Sequence, residues 1–152
     1  MKVTGNYTLD APQESVWAAI YDLKSLLASI PGCQDLRQVS DTEYRGQIQM
    51  RLPAVIGSYQ SYMKLVEFEE PHYSRFEGEV EGSLGGIKGT AAFRLTPDGA
   101  TRTIIDYEGE GLITGSLARL NSRFAEGLAK SLVNQGLARL NEQLQNQEES
   151  MP

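Results

Sequence analysis

The sequence is poor in the residues that most often carry out catalysis or bind metals. Among 152 residues there is one cysteine, Cys33, one histidine, His72, and one tryptophan. A single cysteine cannot form an internal disulfide. One cysteine and one histidine also fall short of the four ligands that a structural zinc site usually needs. The sequence therefore predicts no metal and no other cofactor.

Positive charge and long apolar runs are also scarce. The chain has 14 Lys and Arg against 20 Asp and Glu, a formal net charge of −6 at pH 7, whereas a nucleic-acid-binding surface is normally basic. No stretch approaches the roughly 20 apolar residues of a membrane-spanning helix. The first residues, MKVTGNYTLD, lack the apolar run of a secretory signal. We therefore expect a cytoplasmic protein that binds no nucleic acid and makes at most peripheral membrane contact.

The spacing of apolar residues predicts an α+β domain. Residues 2–9 alternate as in a half-buried strand, and residues 10–22 and 23–30 have the spacing of two short helices. From Cys33 to about Ile113 the period returns to two, with turn signals at EEPH, GSLGG and TPDGA, which indicates antiparallel strands with a polar outer face. From Ser116 to about Gln145, leucines recur every three to five positions without a proline, which predicts one amphipathic helix of about 30 residues.

The predicted architecture is a curved antiparallel sheet of about seven strands, closed by the long C-terminal helix and two short helices. Its inner face contains many small residues: Gly5, Gly46, Gly57, Ser61, Gly78, Gly89, Ala91 and Gly109. A strand glycine lets a sheet bend and leaves a gap the size of a side chain. The helix fills these gaps, or several gaps together form a pocket lined by aromatic residues and methionine. Both interpretations can hold at once.

The predicted inner face contains no Asp, Glu, His or Lys, so an enzyme would have little there with which to transfer protons. This favours binding over catalysis, and no catalytic residue is predicted. The residues predicted to line a ligand pocket are apolar or aromatic and come from the sheet, the second short helix and the long helix: Ile30, Ile48, Tyr59, Met63, Phe93, Tyr107, Leu120, Phe124 and Leu128.

Cys33 follows a Pro31-Gly32 break in the stretch LASIPGCQ. His72 lies in a turn signal, EEPHYS, and is predicted to be a solvated loop residue. The thiol therefore has no partner to activate it, and it is predicted to pack beneath the turn. The turn itself is expected to border the mouth of the pocket.

Three stretches, APQESVWAAIYD, LLASIPGCQDL and GSLARLNSRF, resemble the CoxG family of carbon monoxide dehydrogenase subunits, within the START-like, Bet v 1-like (SRPBCC) superfamily. The resemblance runs from Lys2 to Leu144. It implies a helix-grip fold, a single START-like domain over residues 1–147 with a frayed polar tail at 148–152, and a cavity for a hydrophobic ligand. It also implies an accessory role beside a molybdenum hydroxylase, and some members are associated with lipid or quinone binding and with membrane attachment.

The predicted function is the non-enzymatic binding of a lipid or quinone-like molecule in a cavity between sheet and helix. The protein would act as a carrier or accessory factor for a molybdenum hydroxylase of the carbon monoxide dehydrogenase type. Two alternatives stay open. One is an enzyme of the cyclase or aromatase type on the same fold, and the other is a protein-interaction or maturation module in which the cavity is incidental.

Overall fold

The computed structural model describes residues 1–149, with side chains described to Asn146; the last three residues of the predicted tail lie outside the described part. The elements, in chain order, are β1 (Lys2–Leu9), α1 (Gln13–Ile20), α2 (Leu23–Ser29), β2 (Cys33–Gln38), β3 (Glu43–Met50), β4 (Gly57–Glu69), β5 (Tyr73–Gly82), β6 (Gly85–Asp98), β7 (Arg102–Gly115), a 3-10 turn (Ser116–Arg119) and α3 (Ser122–Glu149).

The strands form one open antiparallel sheet of seven strands in the order β1-β7-β6-β5-β4-β3-β2. Met63 lies opposite both Tyr44 and Gly78, and Gly89 lies opposite both Gly78 and Gly111. Because residues directly opposite in an antiparallel pair point to the same face, these pairs form one continuous row. The predicted α+β class and the predicted inner face are confirmed.

The fully buried side chains gather at one end of the sheet, which we call the closed end. It is formed by the end of β1, helix α1, the β4–β5 and β6–β7 turns and the C-terminal half of α3. Its apolar core includes Leu9, Val16, Leu65, Phe76, Leu95, Ile105, Leu137, Leu140 and Leu144. Each large apolar side chain buried in this way contributes about 1.5–3 kcal/mol to stability, so the closed end holds the domain together.

Hydrogen bonds fix the C-terminal half of α3 to the link between β1 and α1. The backbone N–H of Asp10 donates to Asn141 Oδ1 at 2.8 Å, and Asn141 Nδ2 donates back to Asp10 Oδ2 at 3.2 Å. Gln145 Nε2 donates to the carbonyl oxygen of Asp10. The same link is also bound to β7, where the buried hydroxyl of Thr103 donates to the carbonyl oxygen of Ala11 at 2.8 Å. The position of α3 is therefore set at its C-terminal half.

The long helix begins at Ser122, so the prediction that it starts at Ser116 is wrong. Gly115 has φ +70°, the next four residues form a separate 3-10 turn, and Leu120 is extended. The Oδ1 atom of Asn121 then accepts hydrogen bonds from the backbone N–H groups of Arg123 at 2.9 Å and Phe124 at 3.4 Å. Asn is among the best N-cap residues because its side chain satisfies these otherwise unpaired donors. The leucine spacing continues across the break and conceals it.

Asn121→Ala is expected to lower the free energy of unfolding by about 1 kcal/mol, because it removes the cap of α3. Asn121→Asp keeps an oxygen acceptor and is expected to stay close to the wild-type protein. Urea denaturation followed by circular dichroism measures both changes. Equal stability of the Ala and Asp variants would contradict this account of where the helix starts.

Candidate ligand-binding site

The other end of the sheet, which we call the open end, consists of three connections: residues 51–56 between β3 and β4, residues 83–84 between β5 and β6, and residues 115–121 between β7 and α3. Towards this end the inner face of the sheet is accessible. Its apolar side chains are only half-buried, and they include Ile48, Met63, Val80, Ile87, Ala91, Phe93 and Ile113. An apolar inner face that stays partly accessible indicates space between the sheet and the helix.

Helix α3 lies close to α2, β1 and α1 rather than to the central strands. It approaches α2 closely at Gly136, where a Cβ atom would stand 3.0 Å from the carbonyl oxygen of Ser29. Halfway along α3, the hydroxyl of Tyr107 on β7 donates to Asn134 Oδ1 at 3.0 Å. Beyond that bond, towards the N-terminus of the helix, Leu128 and Leu132 are only half-buried. The helix is thus held at its side and its C-terminal half, and Leu128 and Leu132 in its N-terminal half are packed less closely.

The inner-face glycines divide into two groups. A Cβ at Gly5 would overlap the ring of Tyr107, and one at Gly89 would overlap the carbonyl oxygen of Glu110, so these positions are already filled. At Gly78 and Gly109 the nearest atoms to an added Cβ are backbone oxygens of neighbouring strands, at 3.2 and 3.6 Å. No atom of α3 lies within 4 Å of either position. The positions at Gly5 and Gly89 are thus filled by β7 rather than by the helix, and a ligand pocket over the other glycines stays a prediction.

A pocket of about 370 Å³ opens where the turn after α2 meets the end of β3 and the middle of α3. The turn contributes residues 31–34, β3 and its loop contribute residues 49–52, and α3 contributes Leu132 and Gln135. The stretch around Cys33 therefore lines a pocket, and its role as the mouth of a ligand cavity stays a prediction. A separate groove of about 460 Å³ lies at the closed end, on α1 and the β4–β5 turn, and is lined by Glu14, Trp17, Ala18, Tyr21, Glu70 and Pro71.

The sheet residues predicted to line the pocket share the inner face. Ile48 lies opposite Tyr59, and Phe93 lies opposite Tyr107. Met63 lies on the same strand as Tyr59, four residues further along and on the same face, and packs against the buried core. Tyr59 is buried, and its hydroxyl is paired because it donates to the carbonyl oxygen of Val55 at 2.8 Å. These five side chains therefore belong to one surface.

The predicted residues outside the sheet are more dispersed. Ile30 ends α2 and is half-buried, and it precedes Pro31, the first residue that lines the pocket of about 370 Å³. Leu128 is half-buried on α3, whereas Leu120 lies before the helix begins. Phe124, in the first turn of α3, is 49% exposed. The structure thus leaves Ile30 and Leu128 half-buried and Phe124 largely in solvent, and their role in a ligand pocket stays a prediction.

Asn134 is a polar residue of the interior that the leucine spacing did not single out. It falls between Val133 and Leu137, which both pack in or against the core. The core positions on either side of Asn134 are the sequence signal that could have identified it as a residue of the interior. With Tyr107 it forms the hydrogen-bonded pair that crosses the space between sheet and helix.

The ionisable side chains of the sheet's inner face are tyrosines, and they are neutral. Burial raises the pKa of Tyr59 and of Tyr107 above the ordinary value, so both hydroxyls stay protonated at neutral pH and act as hydrogen-bonding groups. His72 is exposed at the closed end, where its Nδ1 lies 3.2 Å from Gln13 Nε2. Within residues 1–149, no three His, Cys, Asp or Glu side chains are grouped so as to hold a metal ion.

Cys33 is half-buried and lines the pocket of about 370 Å³. Its Sγ lies 4.0 Å from the carbonyl oxygen of Asp35. Burial is the main cause that raises the pKa of this thiol. A raised pKa lowers the fraction of reactive thiolate at neutral pH. The packing role of Cys33 stays a prediction.

We expect iodoacetamide to modify Cys33 in the native protein more slowly than in the urea-unfolded protein at the same pH, because the folded thiol holds its proton more tightly. Mass spectrometry of the intact chain over time measures both rates. Faster modification of the native protein would contradict the packing role.

Gly89→Ala and Gly109→Ala form a matched pair on neighbouring strands of the same face. Gly89→Ala is expected to lower the free energy of unfolding by about 1–3 kcal/mol, since its methyl group meets the rigid backbone of Glu110. Gly109→Ala is expected to be neutral or slightly stabilising because its methyl group meets only the carbonyl oxygen of Thr90, at an ordinary contact distance of 3.6 Å. Urea denaturation measures both, and an equal loss would contradict the presence of space at Gly109.

Comparisons with solved structures identify the fold. A conserved protein from Geobacillus kaustophilus is 23% identical, with a TM-score of 0.93 and 96% of each chain covered. A START superfamily protein from Mycobacterium smegmatis is 10% identical (TM-score 0.76; 95% of this chain, 97% of that one). The Zhui aromatase/cyclase from Streptomyces sp. R1128 is 13% identical (TM-score 0.67; 99% and 96%). The chain therefore has the START-like fold. No curated protein matches it.

A family model also matches the chain directly. The model of the carbon monoxide dehydrogenase subunit named CoxG aligns with residues 5–145, nearly the whole length. In the described part of the chain, no helix is long and apolar enough to cross a bilayer. The family resemblance carried by APQESVWAAIYD, LLASIPGCQDL and GSLARLNSRF is confirmed: the chain belongs to the CoxG family of carbon monoxide dehydrogenase subunits.

Proposed function

We propose that the protein binds a hydrophobic small molecule, lipid-like or quinone-like, in the space between the sheet and the N-terminal half of α3. The observation that carries the proposal is the inner face itself. It is apolar, it lies beneath a helix, and yet its side chains remain half-exposed. Such a surface is costly to leave in water, and each 100 Å² of apolar area covered by a ligand would contribute about 2.5 kcal/mol.

The central part of the sheet offers a shallow floor for the ligand. Gly78, Ala91 and Gly109 have no bulky side chains, and Met63 and Phe93 flank them on the same face. A flexible thioether and an aromatic ring are suited to apolar ligands of variable shape. These residues, with Ile48 and Leu128, are the proposed apolar lining.

A polar head group would meet the pair formed by Tyr107 and Asn134. The hydroxyl of Tyr107 donates to Asn134 Oδ1, which leaves the Nδ2 group of Asn134 to donate to a ligand oxygen. A quinone carbonyl or a carboxyl group of a lipid is an acceptor of this kind. Small-molecule sites commonly combine an apolar lining with a few such polar groups.

We further propose that the protein acts as a carrier or accessory factor in the cytoplasm, beside a molybdenum hydroxylase of the carbon monoxide dehydrogenase type. The support is the description of the family, which names a subunit of that enzyme. A carrier needs an exit for its ligand, and the pocket of about 370 Å³ beside the Pro31-Gly32 turn is the proposed route.

The alternative of a cyclase-like enzyme requires an acid or a base that points into the interior. Within residues 1–146 the inner rows of the sheet contain no Asp, Glu, His or Lys. The likeness to an aromatase/cyclase concerns the fold alone. Binding without chemistry is the function that this interior supports best.

The test is calorimetric titration of the purified, delipidated protein with decylubiquinone and with a long-chain fatty acid. Gly109→Leu places a side chain in the proposed space and is expected to weaken binding at least tenfold. Thr90→Leu, on the outer face opposite Glu110, is the matched control and is expected to bind as the wild-type protein does. Thermal denaturation checks that both variants fold. Failure of the wild-type protein to bind either probe, or equal binding by both variants, would refute the proposal.

A further inference from the structure

The groove of about 460 Å³ at the closed end has no part in the proposed function. It shares no residue with the pocket of about 370 Å³ beside the Pro31-Gly32 turn. Four of its residues lie at positions i, i+3, i+4 and i+7, which share one face of a helix. These belong to α1 or end it, and two more come from the β4–β5 turn: Glu14, Trp17, Ala18 and Tyr21, with Glu70 and Pro71.

The groove is acidic. Its lining includes the carboxylates of Glu14 and Glu70 and contains no Lys, Arg or His. Within residues 1–146, neither carboxylate takes part in an ion pair. The imidazole of His72, which follows the groove in sequence, lies 3.2 Å from Gln13 instead. A cleft with two carboxylates and no counter-charge attracts a cation.

The basic residues on the neighbouring strands and on α2 lie outside the groove. Arg75 pairs with Glu67 at 3.2 Å, and the guanidinium group of Arg94 lies 5.0 Å from the centroid of the Tyr73 ring. Both arginines are on the outer face of the sheet, whereas α1 packs against the inner face. Lys24 belongs to α2 and does not line the groove.

An aromatic pair forms one side of the groove. The ring centroids of Trp17 and Tyr21 are 4.7 Å apart, and the ring planes meet at 53°. Trp17 is buried and Tyr21 is half-buried. Aromatic rings attract cations, and arginine more often than lysine. The groove therefore brings two rings and two carboxylates to one place.

The hydroxyl of Tyr21 is buried without a hydrogen-bond partner. Within residues 1–146, the same holds for one other buried side-chain atom, Oγ of Ser74. Burial is the main cause that raises the pKa of Tyr21; the nearby hydroxyl of Ser74 opposes the rise, and the charge of Glu70 adds to it. Buried polar atoms are nearly always paired. An unpaired acceptor beside an acidic groove thus indicates that a donor enters from outside.

An exposed aromatic ring lies beside the groove. Phe68 is 60% exposed although it is a large apolar side chain. It lies opposite Ser74 on β5, and opposite residues share a face of the sheet, which places Phe68 close to Tyr21. Aromatic residues and arginine are both enriched at protein interfaces. The patch therefore fits a protein partner better than a free small molecule.

We propose that the groove binds an arginine side chain of a partner protein. The guanidinium group lies between the carboxylates of Glu14 and Glu70 and against the rings of Trp17 and Tyr21, where one N–H donates to the Tyr21 hydroxyl. An apolar residue next to the arginine covers Phe68. A guanidinium group suits this site better than an ammonium group because it is planar, weakly hydrated and able to bind carboxylates with two hydrogen bonds. The inference does not require a ligand in the interior.

Trp17 is the only tryptophan in the chain, so its fluorescence and its indole N–H resonance in NMR report on the groove directly. The probe is the peptide acetyl-Gly-Leu-Arg-Leu-Gly-amide, added to the full-length protein. A saturable change is expected, and the same peptide with citrulline, which has the shape of arginine without its charge, is expected to bind at least tenfold more weakly. No saturable change with the arginine peptide, or equal binding of the citrulline peptide, would overturn the proposal.

A second ligand separates a protein partner from a free cation. N-acetylarginine amide carries the guanidinium group without the apolar neighbours and is expected to bind at least threefold more weakly than the peptide. Phe68→Ser is expected to remove that advantage, whereas Val39→Ser, at an exposed apolar residue elsewhere, is expected to keep it. Equal affinity of the wild-type protein for both ligands would show a site for a free cation and would overturn the protein partner.

The charge variant combines Glu14→Gln with Glu70→Gln and is expected to weaken binding of the arginine peptide at least tenfold. The matched control combines Glu108→Gln with Glu110→Gln on β7, which are exposed and change the net charge by the same amount. It is expected to lose twofold at most. Circular dichroism checks the fold of both, and an equal loss would overturn the site.

Tyr21→Phe keeps the ring and removes the unpaired hydroxyl. Binding of the arginine peptide is expected to weaken at least threefold, while stability in urea stays unchanged or rises because no hydrogen bond within the fold is lost. Lower stability with unchanged binding would show that the hydroxyl pairs with Ser74 inside the protein, and it would overturn the contact between the ligand and Tyr21.

Discussion

The rest of the structure depends on the anchoring of α3 at its C-terminal half. Leu137, Leu140 and Leu144 are buried in the core of the closed end, and Asn141 and Gln145 bind the backbone or side chain of Asp10. This packing supplies enough stability to hold the helix across the sheet without close packing along its whole length. The N-terminal half is therefore free to lie above a sheet that it does not fill.

The sheet matches this unequal packing. Where the helix is anchored, the inner face carries Leu65, Phe76, Leu95 and Ile105, which fill the space beneath it. Towards the open end the row changes to small residues, and at Gly78 and Gly109 no side chain of the helix comes near. The Tyr107–Asn134 hydrogen bond lies between the two regions. One end of the interior thus stabilises the fold, and the other is where we propose that a ligand binds.

The period-two pattern predicted the sheet and its inner face correctly because strand phase is a local property. The start of α3 could not be predicted from leucine spacing, since Leu117 and Leu120 continue that spacing through a segment that Gly115 and the Asn121 cap remove from the helix. The sequence also could not tell filled glycines from open ones. That distinction depends on which way a neighbouring side chain turns, as when the ring of Tyr107 covers Gly5.

The central claim is that the interior is open to an apolar ligand, and the methyl groups of the methionines report on it directly. Of the four methionines, Met63 lies on the inner face opposite Gly78. In a ¹³C-methyl NMR titration with decylubiquinone, the account predicts that the Met63 resonance shifts in a saturable manner in the wild-type protein and needs at least tenfold more ligand to do so in the Gly109→Leu variant. A Met63 resonance that stays unchanged at saturating ligand would contradict it.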